Sequence, residues 1–353
     1  MTSLRLGIIG AGAIVAKKHL LALAEVPEIT VAGLCRRDAG ELQKLADRFR
    51  IPRRYTDYRD LVSDPDIDAV LIATGPAAQP EVVLSAAAAG KHIFAEKPMA
   101  ATAAEARAMA EALRRSSVHV QIGFNKRFYY GYRTVQQLIR AGELGTPVGM
   151  QARFWFQPGR ANALLHNGIH FLDLARFFVG PVEEVFARKA EPEATPSANA
   201  ETWTVSLRFN SGAVGNLLIS SLASWDYVNE HVDLLGSNHT VVSVENGRVV
   251  RVSRRSDQNR AELHENTLSG HWWSGNDEQG FTVQFRVFAQ AVLNEPQAAL
   301  GHEDLGPLAA GPEDGLQALE LLEAVRESAA TGQRVSLPVH GVERDRPMPS
   351  AVL

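Results

Sequence analysis

The chain has 353 residues, a formal net charge of −4, 45% hydrophobic and 22% charged residues, an ordinary globular make-up that excludes a disordered, collagen-like or fibrous protein. Lys and Arg cluster only in pairs such as Arg36-Arg37 and Arg53-Arg54, which argues against a nucleic-acid partner. Cys35 is the only cysteine, no apolar run nears the ~18 residues of a membrane span, and Met1 leads directly into a strand, so a cytoplasmic protein with no disulfide, no signal peptide and no membrane contact is expected.

The length suits about two domains. From Leu4 to Gly123, short apolar runs alternate with helical stretches. Leu6 to Ile9, Thr30 to Cys35, Ala69 to Ala73, His92 to Ala95 and Val118 to Ile122 read as strands buried on both faces. Between them, Ala16 to Glu25, Ala39 to Phe49, Pro80 to Ala89 and Ala103 to Arg115 carry apolar residues at helical spacing. This alternation predicts an α/β Rossmann domain over residues 1–123 with a doubly wound parallel sheet. After Gly123 the period changes to two. Strands are predicted at Gly149 to Phe156, Thr202 to Phe209, Val214 to Ser220, His231 to Leu235 and Thr240 to Val244, with helices at Tyr132 to Ala141, Leu164 to Val179 and Asp314 to Ala330. Residues 124–340 are therefore expected to form an α+β domain with a large open, mostly antiparallel sheet. Glu191 to Ala200 reads as a surface loop and residues 341–353 as a tail.

Three constellations carry chemistry. Gly10 and Gly12 match the first two glycines of the dinucleotide fingerprint, placed between a strand and a helix. The third glycine is replaced by Val15, which is expected to push the helix outward. At the end of the second strand, where an acidic residue would suit the ribose hydroxyls of NAD, stand Arg36 and Arg37. Two guanidiniums suit a 2′-phosphate, so NADP is favoured over NAD, with a solvated pair and Asp38 as a helix N-cap as the plainer alternative. Third, His166, His170 and Asp173 fall on one face of an ideal helix, so two imidazoles and a carboxylate are expected to point together. No third ligand stands at a convincing spacing, and no metal is expected. Trp155 and the Trp272-Trp273 pair beside His271 could stack on a sugar face or fill a core. The run Ala95-Glu96-Lys97-Pro98 drives a buried strand into a Lys-Pro corner at the sheet edge where Gly10 and Gly12 also open.

Together with Gly123-Phe-Asn-Lys-Arg127, Gly142-Glu-Leu-Gly145, Leu164 to Asp173 and Glu313-Asp-Gly315, these segments resemble the glucose-fructose oxidoreductase, inositol dehydrogenase and rhizopine catabolism family over nearly the whole chain. The resemblance implies a nucleotide-binding Rossmann domain and an NAD(P)-dependent oxidoreductase of the sugar dehydrogenase type. Hydride would pass between nicotinamide and a secondary alcohol or ketone of a sugar, polyol or related small molecule. It also implies a homodimer or homotetramer built on the open sheet. Carried over, Lys97 and His170 would be catalytic, with His166, standing where the family usually has Asp, as a catalytic or orienting partner. Cofactor contacts would come from Gly10, Gly12, Ala13, Ile14, Arg36, Arg37, Thr74, Gly75, Pro76, Glu96 and Lys97. Substrate contacts would come from Lys97, Asn125, Arg127, Trp155, His166 and His170. Gln79 takes the place of a histidine after the Gly75-Pro76 turn. A non-catalytic NAD(P)-binding sensor on the same fold is the alternative reading.

Overall fold

The computed structural model describes residues 3–156, 162–190, 200–222, 229–257, 260–265, 279–293 and 308–338. The first half is a six-stranded parallel sheet of β1 (Leu4–Ile9), β2 (Ile29–Cys35), β3 (Arg53–Tyr55), β4 (Ala69–Ile72), β5 (His92–Ala95) and β6 (Val120–Ile122) in the order β3-β2-β1-β4-β5-β6. That is the doubly wound dinucleotide-binding order, with its switch point between β1 and β4. All four residues of β4 are buried because helices cover both faces. A widened π-helical turn at Val15–His19 leads into α1 (Leu20–Leu23), and α2 (Ala39–Phe49), α3 (Tyr58–Ser63), α4 (Gln79–Ala88) and α5 (Ala103–Leu113) follow. Asp38 caps α2 by accepting from the Glu41 N–H at 2.9 Å, and Thr102 with Glu105 forms a capping box on α5. The expected strands of this half are present; β3 and α3 were not anticipated.

After β6, a 3₁₀ turn at Asn125–Phe128 leads into α6 (Tyr130–Arg140) and a nine-stranded sheet. Its strands are β7 (Pro147–Trp155), β8 (Val182–Lys189), β9 (Thr202–Phe209), β10 (Val214–Ser220), β11 (Asn229–Gly236), β12 (Val241–Glu245), β13 (Val249–Ser253), β14 (Ala261–Glu265) and β15 (Val335–Ser336). Only the β7–β10 pair is parallel. Alternation along β9 buries Trp203, Val205, Leu207 and Phe209 and exposes Thr204, Ser206 and Arg208. The inner face packs against a π-helical turn at Leu164–Gly168 continuing as α7 (Ile169–Val179), and against α9 (Pro312–Thr331). α8 (Phe281–Leu293) comes late in the chain but returns to the first half, where Phe281, Phe285 and Phe288 join the core with Leu34, Leu71 and Phe94. Ile122 of β6 likewise bridges Ala310. No helix among the described residues is long and apolar enough to cross a membrane.

The junction of the two halves is ionic. Arg127, in the turn after β6, is 3% exposed; its Nε and Nη2 donate to Asp173 of α7 at 2.8 and 2.5 Å, and Nη2 also donates to Asp314 of α9 at 2.8 Å. Gly315 lets α9 sit this close, since a Cβ there would lie 2.5 Å from the Met99 sulfur. Arg127→Met leaves Asp173 as a buried carboxylate without its main partner and is expected to cost about 3–5 kcal/mol. Urea unfolding checks this; a change within about 0.5 kcal/mol, the usual range of surface substitutions, contradicts it.

Candidate active site

The carboxyl ends of β1, β4 and β5 open on one edge of the first sheet, and the residues there divide into a dinucleotide cradle and a reactive corner. At the end of β1, Gly10 has φ +91°, and a Cβ on it would lie 2.6 Å from the Ala73 carbonyl oxygen, so the turn itself demands glycine. Gly12 differs. The nearest atom to a Cβ there is 3.8 Å away, so the glycine leaves open space beside the turn rather than relieving a clash within it. Ala13 and Ile14 are exposed on the lip. Thr74, just past β4, carries a buried hydroxyl with no hydrogen-bond partner among the described residues, next to Gly75 and Pro76. Arg36 Nη1 donates to the Ala11 carbonyl at 2.9 Å, which lays its guanidinium across the glycine turn, while Arg37 is exposed. Open space at Gly12, an orphaned hydroxyl at Thr74 and a cation over the turn fit the pyrophosphate and ribose of a dinucleotide.

The reactive corner is Glu96-Lys97-Pro98, with a cis Lys97-Pro98 peptide. The Lys97 N–H donates to Glu96 Oε2 at 3.2 Å, and Nζ donates to the carbonyl oxygen of His166 at 2.5 Å. Glu96 Oε1 lies 2.9 Å from Nε2 of the fully buried His19, at an angle outside hydrogen-bond geometry. The His19 ring stands edge-on to Phe281 and Phe285 of α8. A Cβ at Gly123 would come within 3.2 Å of the same Glu96 oxygen, so that glycine makes room for the carboxylate.

Opposite Lys97, α7 carries His170. Its ring is edge-on to Phe124 at 6.0 Å, and its buried Nδ1 has no partner among the described residues. Burial, followed by the charges of Lys97 and Lys126, holds its pKa well below the ordinary histidine value, so the imidazole is neutral at pH 7. Lys126 is the participant that sequence reasoning missed. Its ammonium is buried over the rings of Tyr129, Phe154 and Phe171 at 4.6 to 5.4 Å and donates to Glu230, which also accepts from the Tyr132 hydroxyl at 3.1 Å. Burial works against the Lys126 charge, but Glu230 and Tyr129 outweigh it and raise the pKa. The sequence signal was available at Glu230, a carboxylate in the inward register of β11 alongside Val232 and Leu234.

The structure places the remaining expected site residues as follows. The two histidines and Asp173 do not form one cluster: Arg127 claims the Asp173 carboxylate, and the π turn at Leu164–Gly168, with more residues per turn than an α-helix, takes His166 out of phase with α7. His166 is half-buried, and its backbone carbonyl accepts from Lys97 Nζ at 2.5 Å. Arg127 is enclosed by its two aspartates and does not face the cleft. Trp155 lies on the outer face of β7, opposite Phe154, with Arg153 over its ring at 5.1 Å, and so stands on the far side of the sheet from His170. Asn125 is half-buried and donates to the Gln279 carbonyl at 3.0 Å. The Trp272-Trp273 pair, residues 191–199 of the expected loop and the tail lie outside the described residues.

Comparison with known proteins agrees with this geometry. The pattern of the oxidoreductase family with an NAD-binding Rossmann fold matches residues 4–124, and that of the same family's C-terminal alpha/beta domain matches residues 136–337. The uncharacterised oxidoreductase YrbE of Bacillus subtilis is 29% identical over 346 residues, 94% of this chain and 96% of that one. The myo-inositol 2-dehydrogenase of Thermotoga maritima is 26% identical over 349 residues, 95% and 98% of the two chains. Levoglucosan dehydrogenase, solved in complex with NADH and levoglucosan, superposes with a TM-score of 0.82 at 22% identity over 96% of this chain and 100% of the other. With both halves matched and a cradle shaped for a dinucleotide, the chain belongs to the glucose-fructose oxidoreductase, inositol dehydrogenase and rhizopine catabolism family of oxidoreductases.

Proposed function

We propose that this protein moves a hydride between NADP and a secondary alcohol, or its ketone, in a sugar, polyol or related molecule, with Lys97 and His170 as the catalytic pair. The carrying observation is that a lysine fixed at the His166 carbonyl faces a neutral imidazole it can electrostatically influence. Nicotinamide, when bound, supplies the hydride acceptor or donor; the side chains handle the proton and the charge. Lys97 would stabilise the alkoxide that develops at the reacting oxygen, and His170 would take its proton. The named substrates of the dehydrogenase relatives, myo-inositol and levoglucosan, support a polyol or sugar ring as the substrate class.

Because a neutral imidazole is needed for oxidation, turnover should rise with pH through an apparent pKa below ~6.5 and level off above it. A screen of myo-inositol, hexoses and their keto forms with both cofactors, followed at the nicotinamide absorbance, supplies the assay. His170→Ala is expected to lose about 10²- to 10⁴-fold in turnover. Lys97→Ala should lower turnover and move the pKa up, since one of the two depressing charges is gone. Full turnover in Lys97→Ala, or a rising limb centred above pH ~7 in the parent, defeats the assignment.

The NADP preference rests on Arg36 and Arg37. A charge-assisted contact to a 2′-phosphate corresponds to about ten- to hundredfold tighter binding of NADP than NAD by calorimetry, and Arg36→Asp should reverse the order. Equal affinities in the parent remove the argument. Gly12→Ala, with no internal clash to create, should leave the melting temperature unchanged while weakening both cofactors by at least about tenfold.

The outer face of the large sheet supports self-association. Val214, Leu218, Leu235, Val241 and Leu263 are exposed along it, an apolar surface unusual for a free monomer. Light scattering at micromolar concentration should give a dimer or tetramer; a monomer mass contradicts this.

A further inference from the structure

The backbone on either side of Lys97 is gripped by a residue that the reaction itself does not use. Gln79 opens α4, is 1% exposed, and reaches across to the corner after β5. Its Nε2 donates to the Glu96 carbonyl oxygen and, at 3.1 Å, to the Pro98 carbonyl oxygen. These carbonyls belong to the residues immediately before and after Lys97. Both partners are acceptors, so the amide must present its nitrogen to them. A primary amide nitrogen carries two hydrogens and can serve two carbonyls at once; a carboxylate can serve neither and an imidazole N–H only one.

We propose that Gln79 is a positioning residue for Lys97, its amide holding the two flanking carbonyls and so fixing the direction in which the lysine side chain leaves the corner. The proposal rests on the role given to Lys97 above. Gln79 on the flanking carbonyls and Glu96 Oε2 on the Lys97 N–H hold the backbone of the corner, and the His166 carbonyl meets the ammonium at the far end of the side chain. Such restraint matters because a displacement of about 1 Å in a reacting group can cost about 10²-fold in rate.

The test reads the placement of Lys97 directly. The full-length protein is treated with limiting acetic anhydride, digested, and the acetylation of Lys97 is measured by mass spectrometry against the exposed Lys44. Gln79→Met keeps the length of the side chain and removes the donor; Gln79→Glu sets a carboxylate against both carbonyls. Lys97 labelling relative to Lys44 should rise about tenfold in Gln79→Met, and further in Gln79→Glu. Gln79→His, which retains one N–H, should show a smaller rise in the same direction and serves if the other variants fail to fold. A folded variant with a lower melting temperature but parental Lys97 labelling overturns the proposal and leaves Gln79 a merely structural residue. Full turnover in Lys97→Ala would instead remove the catalytic role of Lys97, a result the labelling measurement does not depend on.

Discussion

Two consecutive buried cations, Lys126 and Arg127, set the geometry on which the cleft depends. Removing an ammonium and a guanidinium from water costs several kcal/mol each unless carboxylates meet them. The partners come from far along the chain: Asp173, Glu230 and Asp314 lie 46, 104 and 187 residues away. A four-residue turn at the edge of the first sheet thereby fastens α7, β11 and α9 of the second half. Because α7 is held by Arg127 at Asp173, its first turn presents His170, and the π turn before it the His166 carbonyl, toward Lys97. The ion pairs are weak evidence for stability in themselves. Their consequence is specific placement, since any other docking of the halves would strand a buried charge.

The strands that hold the cradle are legible in the sequence because they are short, apolar and buried on both faces, as at Ala69–Ile72. β3 is not, because Arg53-Arg54-Tyr55 is a three-residue edge strand with polar side chains. Alternation exposes β9 and β10 to reading in the same way that it locates Glu230, whose inward register is the one place on β11 where the apolar pattern carries a charge. α8 escapes for the opposite reason. Nine successive or near-successive residues from Phe281 to Gln290 are buried, so no polar face marks it as a helix, and the core it completes begins at Leu4, at the other end of the chain. The misread cluster has two causes: helical periodicity assumes 3.6 residues per turn, a phase that the π turn upstream of Ile169 breaks for His166, and the Asp173 carboxylate is taken by Arg127, 46 residues earlier in the chain. Lys97 was legible as a corner residue, whereas the grip on it by Gln79 depends on two loops meeting in space.

The two glycines of the first turn illustrate how one motif serves two ends. Gly10 answers to its own fold, through a positive φ and the Ala73 carbonyl; Gly12 answers to nothing within the described protein. A motif match alone cannot separate these cases, but the space around each Cβ can. Val15 belongs to the same accounting. Fully buried at the position where a glycine would let the helix close on the strand, it opens the widened π turn Val15–His19, which carries His19 to the Glu96 carboxylate. The departure from the fingerprint and the contact behind Lys97 are thus parts of one local arrangement.

The charge state of the cleft follows from who is paired. Lys126 has Glu230, so its charge persists in the interior; together with burial and the charge of Lys97 it keeps His170 neutral. A histidine with a depressed pKa is a weaker base, and by itself that would slow removal of an alcohol proton. In the proposed reaction the same lysine that weakens the base also stabilises the alkoxide, lowering the pKa of the alcohol that must be deprotonated. The two effects of Lys97 oppose each other on the histidine and the substrate, and they are not equal. The substrate oxygen is to bond to the ammonium directly, while His170 feels it only through space, after burial as the larger cause. The balance therefore favours proton transfer, with an imidazole already free of its proton at pH 7. It holds only while Lys97 is fixed in direction, which is why the backbone grip of Gln79 belongs to the chemistry of the cleft as much as to its fold.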